Sequence, residues 1–420
     1  MKETNTSTLA SIDEEHRDQL IESGTGDVEQ VRPGRASSIS RTMALLFAAA
    51  CGMAVANIYY AHPLLDTLSG EFGIGHSRIG ILITVTQISY ALGLLLLVPL
   101  GDLLEQRRLI ISHMLLSVLA LVVVGCAATS TVLIAGIAAV GLLAVVTQTL
   151  VAFAAALAAP SERGRVIGLV TSGVVLGILL ARVVAGLLTD LAGWRSVYLV
   201  SAAFMLLISG VLLRALPKVE REKTTLSYGE LIRSVFLLFV QERMLRVRGV
   251  LAFFIFAVFS IFWSSLALPL SEPPLSLSHS AIGAFGLAGI AGALAAAKAG
   301  RLADRGRGQR TTGIALALLF LSWLPISLTR HSLWGLIVGV IILDFAVQAV
   351  HVTNQSMILG ARPESRSRLT ACYMIFYSLG SAIGSIASTA IYAYAGWSGV
   401  SILGASVSAV ALLYWRLTRR

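Results

Sequence analysis

The chain has 420 residues, of which 56% are hydrophobic and only 13% charged, with a mean hydropathy of +0.82. This composition excludes a water-soluble globular domain and indicates a polytopic helical membrane protein. The net charge of +10 does not indicate a nucleic-acid partner, because the basic residues lie in short connections between apolar runs and form neither a patch nor an arm.

Residues 1–41 are polar and acidic, with Asp13, Glu14, Glu15, Asp18, Glu22, Asp27 and Glu29 ahead of Pro33 and Gly34. They read as a disordered cytoplasmic tail. The first apolar run begins only near Thr42, after this acidic segment, which does not fit a cleaved signal. Twelve apolar spans follow, at about 42–64, 79–100, 109–128, 131–157, 166–188, 196–215, 248–270, 280–299, 311–329, 332–358, 369–394 and 397–415, each long enough for a bilayer. The expected architecture is therefore all-α. An N-terminal six-helix bundle over 42–216 and a C-terminal six-helix bundle over 248–420 are joined by a cytoplasmic linker at 217–247. Within the linker, Leu231 to Val240 is apolar but too short to span. The Ser227 and Glu230 pair is a capping-box pattern, so this stretch reads as an amphipathic surface helix.

Only Arg78, Arg195 and Arg330 fall in connections on the side opposite the tail. With the other loop arginines and lysines on the tail side, both termini are expected in the cytoplasm. Cys51, Cys126 and Cys372 all lie in apolar runs without metal-ligand spacing. They read as small buried residues, and no metal or cofactor is expected.

The two halves repeat at an offset of 203 positions. His76, Ser77, Ile79 and Gly80 recur as His279, Ser280, Ile282 and Gly283. Pro160 with Glu162 recurs near Pro363 and Glu364, and Gly193-Trp194 recurs as Gly396-Trp397. Three landmarks at one offset indicate a parallel duplication, which places a solute site between the halves near the midplane.

The tenth span carries Asp344, Gln348, His351 and Gln355 at steps of four, three and four. On a helix these side chains fall within roughly 60° of one another. A carboxylate in mid-membrane costs about 2.5–3.5 kcal/mol on insertion scales and so faces protein or a watered cavity. Arg182 in the fifth span meets the same constraint, and either Asp344 or a solute anion could be its partner. Other candidate liners are Asn57 and Tyr60 in the first span, Gln148 in the fourth, and Ser260, Trp263 and Ser264 in the seventh. Tyr59 reads as an interfacial belt residue, and His62 and Asp66 as solvated loop residues. Gly173 with Gly177, and Gly380 with Gly384, form small-residue faces suited to close helix contact.

Two tail-side turns read Gly101-Asp102-Leu103-Leu104-Glu105-Gln106-Arg107-Arg108 and Gly300-Arg301-Leu302-Ala303-Asp304-Arg305-Gly306-Arg307. The second closely resembles the loop signature of the major facilitator superfamily, and the resemblance runs from about residue 42 to 416. Asn57-Ile58-Tyr59-Tyr60, Gly177 to Arg182 and Gln348 to Gln355 look like the bacterial branch of sugar, nucleoside and drug exporters. The resemblance implies a conformational latch at Gly101, Glu105, Arg108, Gly300, Asp304 and Arg305, and a cavity lined by spans one, four, seven and ten. It also implies residence in a bacterial cytoplasmic membrane.

An intramembrane enzyme is disfavoured. No serine stands in a Gly-x-Ser-x-Gly turn, no His and carboxylate pair suggests a metal, and no phosphate-loop pattern suggests ATP drive. The expected function is secondary transport of a small organic solute, with protons as coupling ion and export as the direction. Asp344, Arg182 and His351 would couple the proton, and Gln348, His351 and Gln355 would hold the solute. Uptake of a small polar solute and a non-transporting sensor remain alternatives. The cavity's amides, hydroxyls and aromatics suit a neutral or amphipathic molecule, and a monomer suffices.

Overall fold

The computed structural model describes residues 40–159, 162–217, 227–302, 306–329, 331–361 and 366–419. Most of the tail, Pro160, Asp304, Arg305, Pro363 and Glu364 lie outside the described residues. The rest is helical, as a chain that must satisfy its backbone in lipid has to be.

Helix α1 (Arg41–Tyr59) starts at Ser40, whose hydroxyl accepts from the Met43 N–H at 3.1 Å. It runs from what we term the near end to the far end. There a 3₁₀ turn at His62–Leu64 and α2 (Leu65–Phe72) cap the molecule. The first half continues with α3 (Ile81–Leu96), the one-turn α4 (Leu100–Leu103), α5 (Gln106–Gly125), α6 (Ser130–Leu143), α7 (Val146–Leu157), α8 (Arg163–Ala192) and α9 (Trp194–Ala215). After the connection come α10 (Tyr228–Gln241), α11 (Arg243–Ser265), α12 (Ala267–Ser271), α13 (His279–Ala284), a 3₁₀ turn at Phe285–Ala288 and α14 (Gly289–Leu302). The chain ends with α15 (Gly308–Leu321), α16 (Trp323–Ser327), α17 (Leu333–Ala361) and α18 (Arg366–Thr418).

Among the described residues, nine helical stretches are long and apolar enough to cross a membrane, and Ile81–Leu96 and His279–Gly292 are shorter apolar helices. The longest stretch, α18, is broken at Gly396 (φ 58°, ψ −156°). Gly193, its repeat counterpart, likewise takes a positive φ of 77° between α8 and α9. Glycine alone enters this backbone region at no steric cost, so the same sharp turn recurs in both halves. Several expected spans are less regular than the apolar runs implied, among them 248–270, which turns at Leu266, and 311–329, which turns at Ser322. The 79–100 run turns at Leu97–Pro99, the 131–157 run breaks between Leu143 and Val146, and the 280–299 run divides into α13, the 3₁₀ turn and α14. Hydropathy averages over such breaks and does not detect them.

The small-residue faces set the closest helix approaches. A Cβ on Gly173 would enter the backbone of Ala48, and one on Gly177 that of Gly52, which locks α8 to α1. Gly380 and Gly384 press in the same way on Phe253 and Ala257, which locks α18 to α11. Two further contacts cross between the halves and are related by the repeat. Gly80 abuts the Ser385 carbonyl and Gly283 abuts the Arg182 carbonyl. Both pairs of positions differ by 203, so the duplication read from sequence has a direct image in packing.

The expected surface helix is α10. Its capping box is formed: the Ser227 hydroxyl receives the Glu230 N–H at 3.4 Å while Glu230 accepts the Ser227 N–H at 2.7 Å. Its apolar side, Leu231, Val235 and Leu238, is buried against protein. Of the three cysteines, Cys51 and Cys372 are buried as expected but Cys126 is exposed. It sits at the C-terminal cap of α5, where the helix stops and its neighbours no longer cover it.

Candidate functional site

The site is organised by Trp263 on α11. Its indole N–H donates to Asp344 Oδ1 on α17 at 3.2 Å. The opposite partner of the ring is Arg182 on α8, whose guanidinium carbon lies 3.7 Å from the ring centroid. Tyr59 and Phe259 flank the same guanidinium at 5.2 and 5.4 Å. Both charged groups are buried, Asp344 at 4% and Arg182 at 2% exposure. The described ion pairs, Asp66–His76, Glu105–Arg108, Glu71–Arg195 and Asp190–His279, include neither of them. The indole thus contacts both the cation and the carboxylate. A desolvated cation–π contact contributes about 2 kcal/mol and a hydrogen bond to a charged acceptor about 1.5–3 kcal/mol. Together these offset part of the cost of burying two charges.

Below the far-end caps lies a small pocket lined by His62, Pro63, Arg182, Trp263, Leu266, Ala267 and Ile282, which come from both halves. Arg182 Nε and Nη2 are buried without an acceptor among the described residues. Tyr59 reaches across the halves to Tyr377, with the two hydroxyls 2.6 Å apart. Tyr59 is thus not an interfacial belt residue, and His62 is not solvated. His62 is 2% exposed, stacks on the Tyr59 ring at 5.6 Å and lies 3.3 Å from the Tyr59 carbonyl through Nδ1. Sequence placed them at the helix end, but α8 and the second-half helices α12 and α13 pack against the turn that carries His62, and Tyr59 meets Tyr377 of α18. Asp66 does sit in the connection, 3.8 Å from His76.

The remaining expected residues separate into groups. His351 does not touch Asp344; its Nδ1 is 3.0 Å from the Tyr373 hydroxyl, and Phe256 meets its ring edge-on at 5.1 Å. Gln348 packs beside Gly292 of α14, and Gln355 is partly exposed nearer the near end. Gln148 donates to the Tyr90 hydroxyl at 3.3 Å. Ser260 and Ser264 are buried beside Trp263 in sequence, and the Ser264 hydroxyl has no partner. Asn57 and Tyr60, expected as cavity liners, make polar contacts inside the first half. Ser201 of α9 donates to Asn57 Oδ1 at 2.8 Å and to the Tyr60 hydroxyl at 3.4 Å, and Tyr198 meets the Tyr60 ring edge-on. Their polar groups are used within the first half.

At the near end, the first expected latch turn closes on itself. Glu105 pairs with Arg108 at 2.7 Å, an i,i+3 contact with Arg108 largely exposed. Such a pair contributes at most about 1 kcal/mol. Gly101 is buried against Leu109, and Gly300 lies on α14. Asp304 and Arg305 lie outside the described residues.

A second closure, at the far end, did not emerge from sequence reading. Asp190 at the end of α8 accepts the His279 N–H at 3.2 Å, the Ser280 N–H at 2.8 Å and the Ser280 hydroxyl at 2.5 Å, and lies 2.8 Å from His279 Nδ1. His279 Nε2 is in turn 2.7 Å from the Thr67 hydroxyl. On the other flank, Thr84 donates to the Ala382 carbonyl at 2.8 Å and Ser385 to the Gly80 carbonyl at 3.1 Å. The repeat had marked His279 and Ser280 as landmarks but gave no partner. Also missed was Arg248, fully buried at 1% exposure, whose Nη1 donates to Thr312 at 3.1 Å and Asn354 at 3.3 Å. Its position at the start of an apolar run was the available signal. Tyr373 and Tyr377, one helical turn apart on α18, were detectable as a same-face aromatic pair.

A family model described as Major Facilitator Superfamily matches residues 42–358 and 249–420. An Escherichia coli protein described as uncharacterized transporter YgaY is 46% identical over 377 residues, which cover 90% of this chain and 95% of that one. Inner membrane transport protein YnfM of Escherichia coli is 25% identical over 414 residues, covering 93% of each. Among solved structures, a bacterial homologue of the human lysosomal transporter Spinster, in an inward-facing and unoccupied conformation, superposes with a TM-score of 0.73. It covers 91% of this chain and 97% of its own at 14% identity, and so bears on the fold alone.

Proposed function

The chain belongs to the Major Facilitator Superfamily and is a multi-pass membrane transporter, and from that premise we propose that it couples movement of a small organic solute to protons at Asp344. The observation that carries this reading is a buried carboxylate whose one hydrogen-bond donor among the described residues is the Trp263 indole N–H. A carboxylate so placed can lose its charge without breaking an ion pair, as a site that is alternately loaded and emptied requires. Twelve spans with both termini in the cytoplasm make the far end the outside. The far-end contacts then describe a protein closed to the outside, with the pocket beneath them.

Alternating access follows from parting those contacts while the near-end turns close, with Gly300, Asp304 and Arg305 supplying the second latch and Glu105 with Arg108 the first. Solute leaving in exchange for the proton gives export, the first reading. Co-transport is the second, and a specific observation favours it. Arg182 lines the pocket and two of its N–H groups lack an acceptor among the described residues, so a solute anion and Asp344 would share one cation and load best when Asp344 is protonated. The test is purified protein in liposomes with a pH-sensitive dye and imposed solute gradients. Solute-dependent proton movement is expected. Alkalinisation or acidification of the lumen on solute entry separates the two directions of coupling, and no proton movement with any transported solute contradicts the proposal.

A further inference from the structure

We propose that the transported solute carries a carboxylate, held side-on by Nε and Nη2 of Arg182. The inference rests on the transporter reading and names its substrate class. Arg182 has five N–H donors in a fixed planar fork. The Nε and Nη2 edge is one of the two that match the two oxygens of a carboxylate in parallel hydrogen bonds. Those are the two nitrogens left without an acceptor in a residue that is 2% exposed.

The guanidinium faces are otherwise engaged, with Trp263 at 3.7 Å and Tyr59 and Phe259 beyond it. The rings hold the fork in orientation and leave its edge free. The nearby carboxylate of Asp344 takes the indole N–H and not the arginine.

The repeat supplies an internal control. The counterpart of Arg182 in the second half is Ser385, at the same contact with the opposite half: Gly283 abuts the Arg182 carbonyl as Gly80 abuts the Ser385 carbonyl. At Ser385 the hydroxyl simply donates to Gly80. Packing at this position therefore does not need an arginine, and a buried cation with two idle donors is a costly way to fill it.

The pocket in front of the fork fixes the class further. His62 is the only other titratable side chain among its lining residues, and Pro63, Leu266, Ala267 and Ile282 are apolar. One permanent cation and apolar walls suit an organic monoanion, a carboxylate on an apolar body, better than a phosphate dianion. In the closed arrangement the pocket has room for about one water molecule. The far-end contacts must part for the solute to enter.

The experiment compares matched acid and amide probes on the full-length detergent-purified chain: benzoate with benzamide, cyclohexanecarboxylate with its carboxamide, and hexanoate with hexanamide. Affinity is read by calorimetry and by the shift in Tm. Each carboxylate is expected to bind at least tenfold tighter than its amide, because an amide presents one acceptor and unwanted donors to the fork. R182Q is expected to abolish the preference, and R182K, which keeps the charge without the fork, to retain a reduced one. Amides binding as well as acids, no carboxylate binding at all, or a preference that survives in R182Q would each overturn the proposal. The wild-type comparison decides the matter even if neither variant folds. Proton-coupled counterflow of neutral solutes with no preference for acids would refute the carboxylate while leaving the transporter reading intact. Absence of proton movement with every solute that binds would refute proton coupling and leave the carboxylate assignment in place.

Discussion

At the residue scale, Trp263 does two things with one side chain, and they can be separated. Trp263→Phe keeps an aromatic face under Arg182 but removes the N–H that Asp344 accepts. The carboxylate is then left without its donor, at an expected cost of about 1–3 kcal/mol in thermal unfolding. A variant as stable as the parent would show that the indole N–H carries no weight. Asp344 itself was legible from sequence, since a carboxylate on a polar stripe in an apolar helix has few physical uses. What could not be read was its partner. Whether Arg182 forms an ion pair with Asp344 or stands off behind a ring depends on how the helices pack, which no spacing encodes. The partners of Asn57 and Tyr60 were not legible for a related reason, because the first span presents polar groups both to Ser201 within its own half and, through Tyr59, to Tyr377 in the opposite half, and composition does not say which.

At the scale of elements, the glycine contacts and the capping box make separate predictions. Gly177→Val and Gly380→Val place side chains in the backbones of Gly52 and Phe253, and each is expected to reduce the monodisperse fraction on size exclusion sharply. Gly168→Ala meets nothing within 4 Å and is expected to leave that fraction unchanged; equal losses from all three would contradict the packing account. Hydrogen bonds from the Ser227 N–H and hydroxyl hold the Glu230 carboxyl below the usual carboxylate range. A lowered folded-state pKa means that its contribution to α10 is present above the unfolded value and is lost as pH falls through the folded one. Amide exchange in α10 should accelerate over that acidic window, and Glu230→Gln should remove the dependence; a pH-insensitive α10 in the parent would disagree. The far-end clasp is a third device. Asp190→Ala removes four contacts to His279 and Ser280, and labelling of Ile282→Cys by an impermeant maleimide from the far side should rise severalfold. Unchanged labelling would show that the clasp does not hold the closed form. Element types were legible because apolar runs and a capping pattern are local signals, whereas the clasp joins residues 89 and 90 positions apart and has no local trace.

At the scale of the molecule, the repeat at 203 positions was the most informative sequence signal, and paired contacts at Gly80 and Gly283 give it spatial form. The repeat is least exact at the proposed site. Arg182 answers to Ser385, and Asp344 to Gly141, which packs directly on the Thr86 backbone. A duplicated scaffold carrying its charges at unpaired positions is what a central coupling site requires, since the scaffold supplies two states and the unpaired charges bias them. The most direct test of that account is Asp344→Asn in proteoliposomes, comparing solute exchange at equal pH with accumulation driven by a pH gradient. The account predicts that exchange persists while gradient-driven accumulation is lost. Accumulation that remains fully driven by the gradient in Asp344→Asn would contradict it.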